Sequence, residues 1–348
     1  MRRQLHTDVG RHRSESSLLL ATWNIRDFDA NKFGHGRRLP ESLHYIAEII
    51  SAFDLVAIQE VNRDLRGLHK VMGLLGGAWD YIVTDTTEGR SGNEERMAFV
   101  YDRRKVLFRN LAGEIVLPRP HKIVVPRGGT VAETDEDELQ FARTPFVVAF
   151  QAGWFKFNLC TVHIYYGADY GDRLQRRISE IGKLAQFFDR RQRKEKEDYV
   201  LLGDFNIVSP AHATMQSLEA EGFVIPEHLK REKTNLKGDK HYDQIALKVR
   251  EKRLEVGASG VLQFEKSVFR NNDFTAYFDQ MPADKRDHHY RGSKQGQPRT
   301  EREQREYYRD EWRTWQLSDH LPMWVELKVD FTNDYLKSLM PGRTPLAD

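Results

Sequence analysis

The segment Tyr199-Val200-Leu201-Leu202-Gly203-Asp204-Phe205-Asn206 is the most informative stretch of this 348-residue chain for predicting the fold. Its first four residues are apolar, which is typical of a buried strand. Asp204 and Asn206 stand two positions apart, so in an extended segment both side chains point to the same side, as a pair acting on one substrate atom must. The segment therefore predicts a strand that ends in polar side chains suited to chemistry.

Similar short apolar runs recur along the chain and predict further strands. They are Leu18–Ile25, Leu55–Ile58, Met97–Tyr101, Phe146–Phe150, Trp154–Val162, Ile245–Val249 and Leu321–Val329. In the last run every second residue is apolar, which predicts a strand with one buried face. Apolar residues at helical spacing predict helices over Leu39–Phe53 and Asp172–Phe188. Consecutive strands with scattered helices favour a sandwich with a mixed sheet over alternating βαβ units.

The composition indicates a folded protein without a membrane span. Hydrophobic residues make up 39% of the chain and aromatic residues 11%, enough for a sizeable core. No run approaches the roughly 18 consecutive apolar residues that a span needs. The polar N-terminus lacks the apolar core of a secretory signal, and Cys160 is the only cysteine, so we expect a cytoplasmic protein. The formal charge of +2 identifies no partner.

We expect one domain over residues 18–330, a polar N-terminal arm at 1–17 and a C-terminal tail at 331–348. The loop Pro118–Gln140 carries an acidic run between Glu133 and Glu138, which predicts a solvated segment. A polar insertion spans about 271–315, and its part from Asp284 to Arg313 holds nine Lys/Arg and seven Asp/Glu. Interleaved with these charges are His288, His289, Tyr290, Tyr307, Tyr308 and Trp312. Two interpretations stay open: a nucleic-acid surface, or a solvated insertion whose charges offset one another.

Residues capable of acid, base or metal chemistry flank most of the predicted strands. Asn24 lies at the end of the first run. Gln59, Glu60, His163, Asp204 and Asn206 follow such runs, whereas Glu95, Asp243, Asp319 and His320 precede them. If neighbouring strands run antiparallel, these ends lie along one edge of a sheet and the residues converge on one cleft. Each residue alone has an ordinary alternative as a cap, a turn residue or a solvated carboxylate. Together, carboxylates, amides and imidazoles suit a hard divalent cation with acid–base chemistry beside it.

Five ordered motifs carry a family resemblance. They are Ala21–Arg26, Asp54–Val61, Gly203–Asn206, Tyr242–Ile245 and Ser318–Pro322. This set resembles the endonuclease/exonuclease/phosphatase superfamily from about Leu18 to Val329. The segments Asn93–Tyr101, Phe141–Pro145 and Val162–His163 are similar to its deoxyribonuclease I branch. The resemblance implies a four-layer α/β sandwich of two mostly antiparallel sheets flanked by helices, with the active site at one edge.

The resemblance also implies a metal site and two histidine–carboxylate pairs. Glu60 is similar to the principal magnesium ligand, with Asn24 and Asp319 as direct or water-mediated ligands and Mn²⁺ as the alternative ion. His163 with Glu95, and His320 with Asp243, resemble the two pairs. In such a pair the carboxylate selects the tautomer of the imidazole and favours its protonated form, which can donate to a phosphate oxygen or a leaving group.

Three further residues acquire roles from the resemblance, and a fourth, Arg26, is our own expectation. Asp204 is similar to the residue that orients or deprotonates the attacking water, and Asn206 to one that hydrogen-bonds a phosphoryl oxygen. Arg143 resembles a phosphate-contacting arginine, and we expect Arg26 to help position phosphates.

The residues that read duplex DNA in this branch are not preserved. An arginine two positions after the metal-binding glutamate and a tyrosine two positions before the histidine-orienting glutamate reach into the minor groove in that branch. Asn62 and Asn93 occupy these positions here, with Arg63 as the neighbouring substitute for the first. The match therefore extends further over the catalytic residues than over those that read the substrate.

The primary hypothesis is a Mg²⁺-dependent phosphodiesterase that hydrolyses nucleic acid, with a DNA endonuclease as first choice, by in-line attack of water. The alternative is a phosphoesterase for phosphoinositide, sphingomyelin or another small phosphate ester, in which aromatic residues of the insertion face a membrane. A non-catalytic binding module is the third hypothesis, disfavoured because Glu60, Asp204 and His320 are all present. The sequence assigns no protein partner.

Overall fold

Two large β-sheets dominate the computed structural model, which describes residues 1–29, 31–87, 94–125 and 137–339. The strands are β1 Ser17–Phe28, β2 Leu55–Val61, β3 Trp79–Val83, β4 Arg96–Asp102, β5 Val106–Glu114, β6 Ile123–Val125, β7 Asp137–Leu139, β8 Phe146–Ala152, β9 Phe155–His163, β10 Tyr199–Asp204, β11 Asp243–Lys248, β12 Glu255–Val261 and β13 Met323–Lys328. The α-helices are α1 Arg2–Asp8, α2 Pro40–Ser51, α3 Arg66–Leu75, α4 Gly171–Glu195, α5 Ala213–Glu219, α6 Glu227–Arg231, α7 Phe274–Tyr277, α8 Ala283–Asp287, α9 Glu301–Tyr307, α10 Arg313–Gln316 and α11 Thr332–Ser338. A π-helix, Tyr308–Trp312, joins α9 to α10, and short 3₁₀ helices cover Gly10–His12, Arg119–His121, Phe264–Lys266, Asn271–Asp273 and Phe278–Gln280.

The strand order gives each sheet one parallel pair among antiparallel neighbours. The first sheet has the order β12-β13-β1-β2-β4-β3 and the second β11-β10-β9-β8-β5, while β6 and β7 form a separate two-stranded sheet. The pairs β1–β2 and β9–β10 are parallel, and the other neighbours in the large sheets are antiparallel. The predicted architecture of two mostly antiparallel sheets flanked by helices is confirmed.

The period-two pattern of β1 shows how the layers pack. Leu18 and Leu20 belong to the core that includes the second sheet, whereas Leu19 and Trp23 belong to the core on the other face, which includes residues of α2, α3 and the insertion. The second sheet packs against α4. Because these strands are covered on both faces, they are almost wholly apolar, and this is why their sequences were recognisable.

The predicted strands and both predicted helices are present, but the expectation of one buried face for the last strand is wrong. Trp324 on β13 is only 4% exposed because it packs into the core on the outer face of the first sheet. The strands β3, β5, β6, β7 and β12 were not predicted, and the expectation of a loop over Pro118–Gln140 is wrong because β6 and β7 pair there as a two-stranded sheet. At the sheet margins, β5 and β12 are largely exposed or half-buried, so their composition lacks the apolar signal of the central strands.

The segments outside the central sandwich contribute to the core more than their composition suggests. The N-terminal arm forms α1, and Leu5 and Val9 are buried in the outer core. Tyr307, Tyr308 and Trp312 of the insertion are also buried there, so these rings form no surface for stacking bases. The acidic positions 133–136 lie outside the described residues. Within the described part, no helix is long and apolar enough to cross a membrane.

Candidate active site

Strand ends from both sheets meet at one edge of the sandwich. β10 lies between β9 and β11, and the strand register places Asp204 beside His163 on one side and Asp243 on the other. Asn24 on β1 connects the sheets, since its Nδ2 donates to Glu60 Oε1 at 2.9 Å and to Asp204 Oδ2 at 3.2 Å. The convergence arises partly from the two parallel pairs, whose carboxyl ends coincide, and partly from antiparallel neighbours that begin at the same edge.

Two imidazoles face one carboxylate oxygen. His163 Nδ1 lies 2.9 Å from Glu95 Oε2, and His320 Nδ1 lies 2.8 Å from Asp243 Oδ2. Their Nε2 atoms lie 3.6 Å and 3.8 Å, respectively, from Asp204 Oδ2. The structure therefore brings together all five residues of the predicted acid–base set, with the carboxylates Glu95 and Asp243 behind the rings and Asp204 between them.

The charges around these rings favour a protonated His320. Burial disfavours the imidazolium, but the adjacent carboxylates of Asp243 and Asp204 outweigh it and raise the pKa of His320 well above its usual range. Burial likewise opposes ionisation of Glu95, yet His163 and Arg143 overcome it and lower the pKa of that carboxyl. His320 is thus an imidazolium that can donate a proton, and Glu95 is a stable carboxylate anion behind His163.

Arg143 is placed behind Glu95. Its Nε donates to Glu95 Oε2 at 2.6 Å and its Nη2 to Glu95 Oε1 at 3.3 Å, and the guanidinium is almost fully buried. A bidentate pair of this kind restricts the orientation of the carboxylate. Arg143 therefore supports the carboxylate that contacts His163, while contact with a substrate phosphate stays a prediction.

Arg26 contacts the insertion. Its Nη1 donates to the Thr314 hydroxyl and to the Glu311 carbonyl oxygen at 3.4 Å, and its guanidinium lies 4.9 Å from the centroid of the Phe33 ring. These hydrogen-bond partners are uncharged, but the charge of Arg26 also acts on the Glu311 carboxylate, where it opposes the rise in pKa that burial causes. Contact of Arg26 with a substrate phosphate stays a prediction.

The oxygen donors of Glu60, Asn24 and Asp319 are of the types that a divalent cation accepts, and their role as ligands stays a prediction. Burial, together with Glu95 and Asp319, raises the pKa of Glu60, so a cation there would stabilise its anionic form. The Oδ1 atom of Asn24 is buried without a hydrogen-bond partner, and carboxylate and amide oxygens are ligands that Mg²⁺ accepts. The described residues contain no cluster of three or more His, Cys, Asp or Glu side chains in a metal-binding arrangement. The predicted set supplies two carboxylates and an amide, and Mg²⁺ commonly keeps several waters.

The turn after β10 depends on two unusual backbone conformations. Gly203 has φ +137°, and a Cβ atom there would lie 2.2 Å from the Val162 carbonyl oxygen, so only glycine allows this approach of β10 to β9. Asn206 has φ 51°, its amide N–H donates to Asp204 Oδ1 at 2.9 Å, and its Nδ2 donates to the Ile164 carbonyl oxygen at 2.8 Å. Asn206 thus orients Asp204, and a bond from Asn206 to a phosphoryl oxygen stays a prediction.

Sequence reasoning missed several residues that shape the site. The Tyr242 ring stacks on His320 with centroids 5.5 Å apart and an interplanar angle of 28°. Ser318 Oγ donates to the Asn24 carbonyl oxygen at 2.6 Å and accepts from the His320 amide at 2.9 Å. Both residues lie inside the quoted motifs, so their position beside Asp243 and His320 was the available signal.

A cleft of about 780 Å³ opens beside the site. Tyr242, Asp319 and His320 line it, and so do residues of the insertion between Arg309 and Thr314. The cations lining it are Arg26, Lys237, Lys240, Arg291, Arg309 and Arg313, and the carboxylates are Asp239, Asp310, Glu311 and Asp319. The cleft is polar and mixed in charge, which suits a ligand with both anionic and neutral polar groups.

Comparisons with known proteins agree with this architecture. The model of the Endonuclease/Exonuclease/phosphatase family matches residues 21–222, and no curated protein matches the sequence. Among solved structures, an endonuclease/exonuclease/phosphatase family protein from Bacteroides thetaiotaomicron is 18% identical, with a TM-score of 0.53 and coverage of 90% of this chain and 98% of that one. D. rerio TDP2 complexed with a single-strand DNA product is 13% identical, with a TM-score of 0.52 and coverage of 90% and 99%. A mannosyl-6-phosphatase from Bacteroides thetaiotaomicron is 16% identical, with a TM-score of 0.51 and coverage of 89% and 99%.

Proposed function

This chain belongs to the endonuclease/exonuclease/phosphatase family of hydrolases that act on phosphate esters, and we propose that it is a Mg²⁺-dependent phosphodiesterase that cleaves nucleic acid, as a DNA endonuclease. One observation carries the proposal: the Nε2 atoms of His163 and His320 converge on Asp204 Oδ2, each ring backed by its own carboxylate. This arrangement provides a proton acceptor and proton donors around one point, which hydrolysis of a phosphodiester requires.

The residues of the chain divide the proton transfers between them. Asp204 orients a water molecule and takes its proton as the water oxygen attacks phosphorus. The bond from phosphorus to the leaving oxygen breaks, and the His320 imidazolium gives its proton to that oxygen or to a phosphoryl oxygen. His163 donates through Nε2 to the phosphate while Glu95 holds its Nδ1 side. Asp243 plays the same supporting part for His320.

Glu60, Asn24 and Asp319 are the residues that would hold the metal. A bound Mg²⁺ supplies positive charge that offsets the charge developing on the phosphate. The unpartnered Asn24 Oδ1 and the raised pKa of Glu60 support this assignment.

Two features favour nucleic acid as the substrate. The cleft beside the site is lined by several cations, and Lys237 among them is exposed and forms no ion pair within the described residues. Phosphates flanking a scissile bond are commonly held by such side chains, which position the backbone without reading its sequence. The structural relative TDP2 was solved with a single-strand DNA product, which supports the same substrate class.

A small phosphate ester is the second candidate. Residues of the insertion line the cleft, and a pocket of about 780 Å³ accommodates a compact polar molecule as well as part of a polymer. The mannosyl-6-phosphatase among the structural relatives supports this candidate. The lipid variant loses its original support, because the buried Tyr307, Tyr308 and Trp312 do not face a membrane surface. The convergence of the acid–base residues argues against the hypothesis of a non-catalytic binding module.

The compartment we propose is a reducing one. Cys160 is the only cysteine in the sequence and it is buried without a disulfide, which suits the cytoplasm.

An activity panel tests the proposed function. Purified protein with Mg²⁺ or Mn²⁺ is offered supercoiled plasmid, linear duplex DNA, single-stranded DNA, RNA, sugar phosphates and phosphoinositide and sphingomyelin vesicles. Asp204→Asn should lower the rate on the true substrate about 10²–10⁴-fold. Asp279→Asn is the matched control, because that side chain is 94% exposed. Loss of Mg²⁺ binding in Glu60→Gln, measured by calorimetry, tests the metal assignment separately.

The panel also shows how the proposal fails. Nicking of the circular plasmid, abolished by Asp204→Asn but not by Asp279→Asn, supports a DNA endonuclease. Hydrolysis of a sugar phosphate alone would replace the proposal with the second candidate. Equal activity of wild type and Asp204→Asn on every substrate would refute the assigned site.

A further inference from the structure

Tyr166 is an exposed aromatic side chain beside the proposed active site. It lies in the loop between β9 and α4 and is 44% exposed. Its ring meets Tyr242 edge to face, with centroids 6.2 Å apart and an interplanar angle of 86°. Tyr242 in turn stacks on the imidazole of His320. One ring therefore separates Tyr166 from His320.

The buried Arg177 holds Tyr166 in position. The guanidinium carbon lies 4.7 Å from the centroid of the Tyr166 ring, and Nε donates to the Tyr166 carbonyl oxygen at 2.9 Å. Arg177 Nη1 also donates to Asp169 Oδ1 at 2.9 Å and to the Asn206 carbonyl oxygen at 3.0 Å, which connects the loop to the turn after Asp204. A ring supported in this way loses little conformational freedom when a ligand packs against its exposed part.

We infer that the exposed part of the Tyr166 ring, which Tyr242 contacts edge to face and Arg177 supports, is an aromatic platform on which a base next to the scissile phosphate stacks. The inference rests on the proposed function and assigns the platform a role in holding that nucleotide. Every base offers a planar face, so an aromatic platform binds single-stranded nucleic acid without selecting a sequence. Lys240 stands beside the platform, with Nζ 5.9 Å from the Tyr242 centroid and 3.2 Å from Asp169 Oδ2. From there its ammonium group can approach a phosphate of the bound nucleic-acid strand.

The surrounding residues favour stacking of a base over simple packing. Tyr166 covers the guanidinium of Arg177. An aliphatic side chain would cover it as well, so packing alone does not explain why an aromatic ring stands at this position. Tyr307, Tyr308 and Trp312 of the insertion do not compete for this role, because they are buried in the outer core. Tyr170 is 79% exposed in the same loop region but makes no ring contact within the described structure, so it does not share the platform.

Substrate and protein changes are combined to test the platform. After the main cleavage site in a single-stranded DNA oligonucleotide is mapped, each base flanking that site is replaced in turn by an abasic residue. kcat/KM is then measured for wild type, Tyr166→Leu, Tyr166→Phe and the control Tyr170→Leu. Removing the stacked base should lower kcat/KM of the wild type by about 5- to 150-fold, the range expected for one base on an aromatic ring.

On the intact oligonucleotide, kcat/KM of Tyr166→Leu should be lower than that of the wild type by a similar factor. The abasic residue should lower kcat/KM of this variant little further. Tyr166→Phe and Tyr170→Leu should behave as the wild type does. If the abasic residue has the same effect in wild type and Tyr166→Leu, the platform is refuted while the proposed function stands. If the wild type cleaves no nucleic acid in the activity panel, the proposed function fails and the platform fails with it.

A binding measurement covers the case in which Tyr166→Leu does not fold. The Asp204→Asn protein is titrated into an oligonucleotide that carries 2-aminopurine beside the cleavage site. Stacking on a tyrosine should quench the fluorescence of this base, and an unchanged signal at saturation would overturn the inference.

Discussion

Replacing Gln59 with leucine should lower the free energy of unfolding by about 2–6 kcal/mol. Gln59 lies on β2 directly before Glu60, and its side chain bridges the two sheets beneath the active site. Its Nε2 donates to Thr161 Oγ1 on β9 at 2.8 Å and to Thr22 Oγ1 on β1 at 3.1 Å. All three side chains are fully buried, so water cannot replace the lost partner.

The magnitude follows from the groups that the substitution leaves unpaired. Leucine has nearly the volume of glutamine, so the change leaves no large cavity. Two buried hydroxyls lose a donor, and each unsatisfied group costs about 1–3 kcal/mol. Replacing every partner at once has a different outcome, because apolar groups of similar shape leave nothing unsatisfied. The triple variant Thr22→Val, Gln59→Leu, Thr161→Val should therefore lie within about 1 kcal/mol of the wild type.

Urea unfolding monitored by tryptophan fluorescence provides the measurement. The midpoint should fall for Gln59→Leu and recover in the triple variant, with similar slopes for all three proteins. The reasoning is wrong if Gln59→Leu lies within about 0.5 kcal/mol of the wild type, the size of an ordinary surface substitution. It is equally wrong if the triple variant is less stable than the single one, since the hydroxyls would then be satisfied by other groups.

Three further predictions concern pH, the carboxylate behind His163 and the turn after β10. Burial and nearby cations lower the pKa of His35 from 6.5 to about 3. The unfolded chain therefore binds this proton more tightly than the folded protein, and stability falls as the pH drops below 6.5. Between pH 7 and pH 5 the free energy of unfolding of the wild type, measured in urea, should fall by about 2 kcal/mol more than that of His35→Gln. Arg143→Lys cannot reproduce both bonds to Glu95 and should lower kcat about tenfold with little change in KM, whereas a rise in KM alone would assign Arg143 to substrate phosphate instead. Gly203→Ala should destabilise the protein by about 3 kcal/mol or more, because the new Cβ would meet the Val162 carbonyl oxygen; an unchanged thermal midpoint would contradict this.

The strands that could be predicted are those covered on both faces. β1, β2, β9 and β10 are central in their sheets, and burial on both sides makes their sequences nearly continuous apolar runs. The margin strand β12 carries small and exposed residues, and Gly257 within it leaves room for the Glu326 carboxylate, which would lie 2.4 Å from an added Cβ. Such positions are determined by a neighbouring side chain that pattern analysis of the strand alone cannot see.

The site residues could be found from their positions at strand ends, but their pairing could not be derived from spacing. His320 reaches Asp243 from a position 77 residues away, and Asn24 reaches Asp204 from 180 residues away. Asn24 and Asp204 belong to different sheets, and His320 lies just before β13, so only the packing of the two sheets brings these residues together. The resemblance supplied these pairs, and the parallel register of β9 and β10 explains why His163 stands beside Asp204.

The insertion shows where composition misleads and why that matters for the substrate. Its mixture of basic and aromatic residues is equally compatible with a binding surface and with a helix that buries one side, because both need aromatic rings near charges. The structure uses Tyr307, Tyr308 and Trp312 to cover the outer face of the first sheet, while Arg309 and its neighbours line the cleft. The insertion therefore contributes charge but not these rings to the cleft, and the ring that we assign to a base is the exposed Tyr166 beside Tyr242.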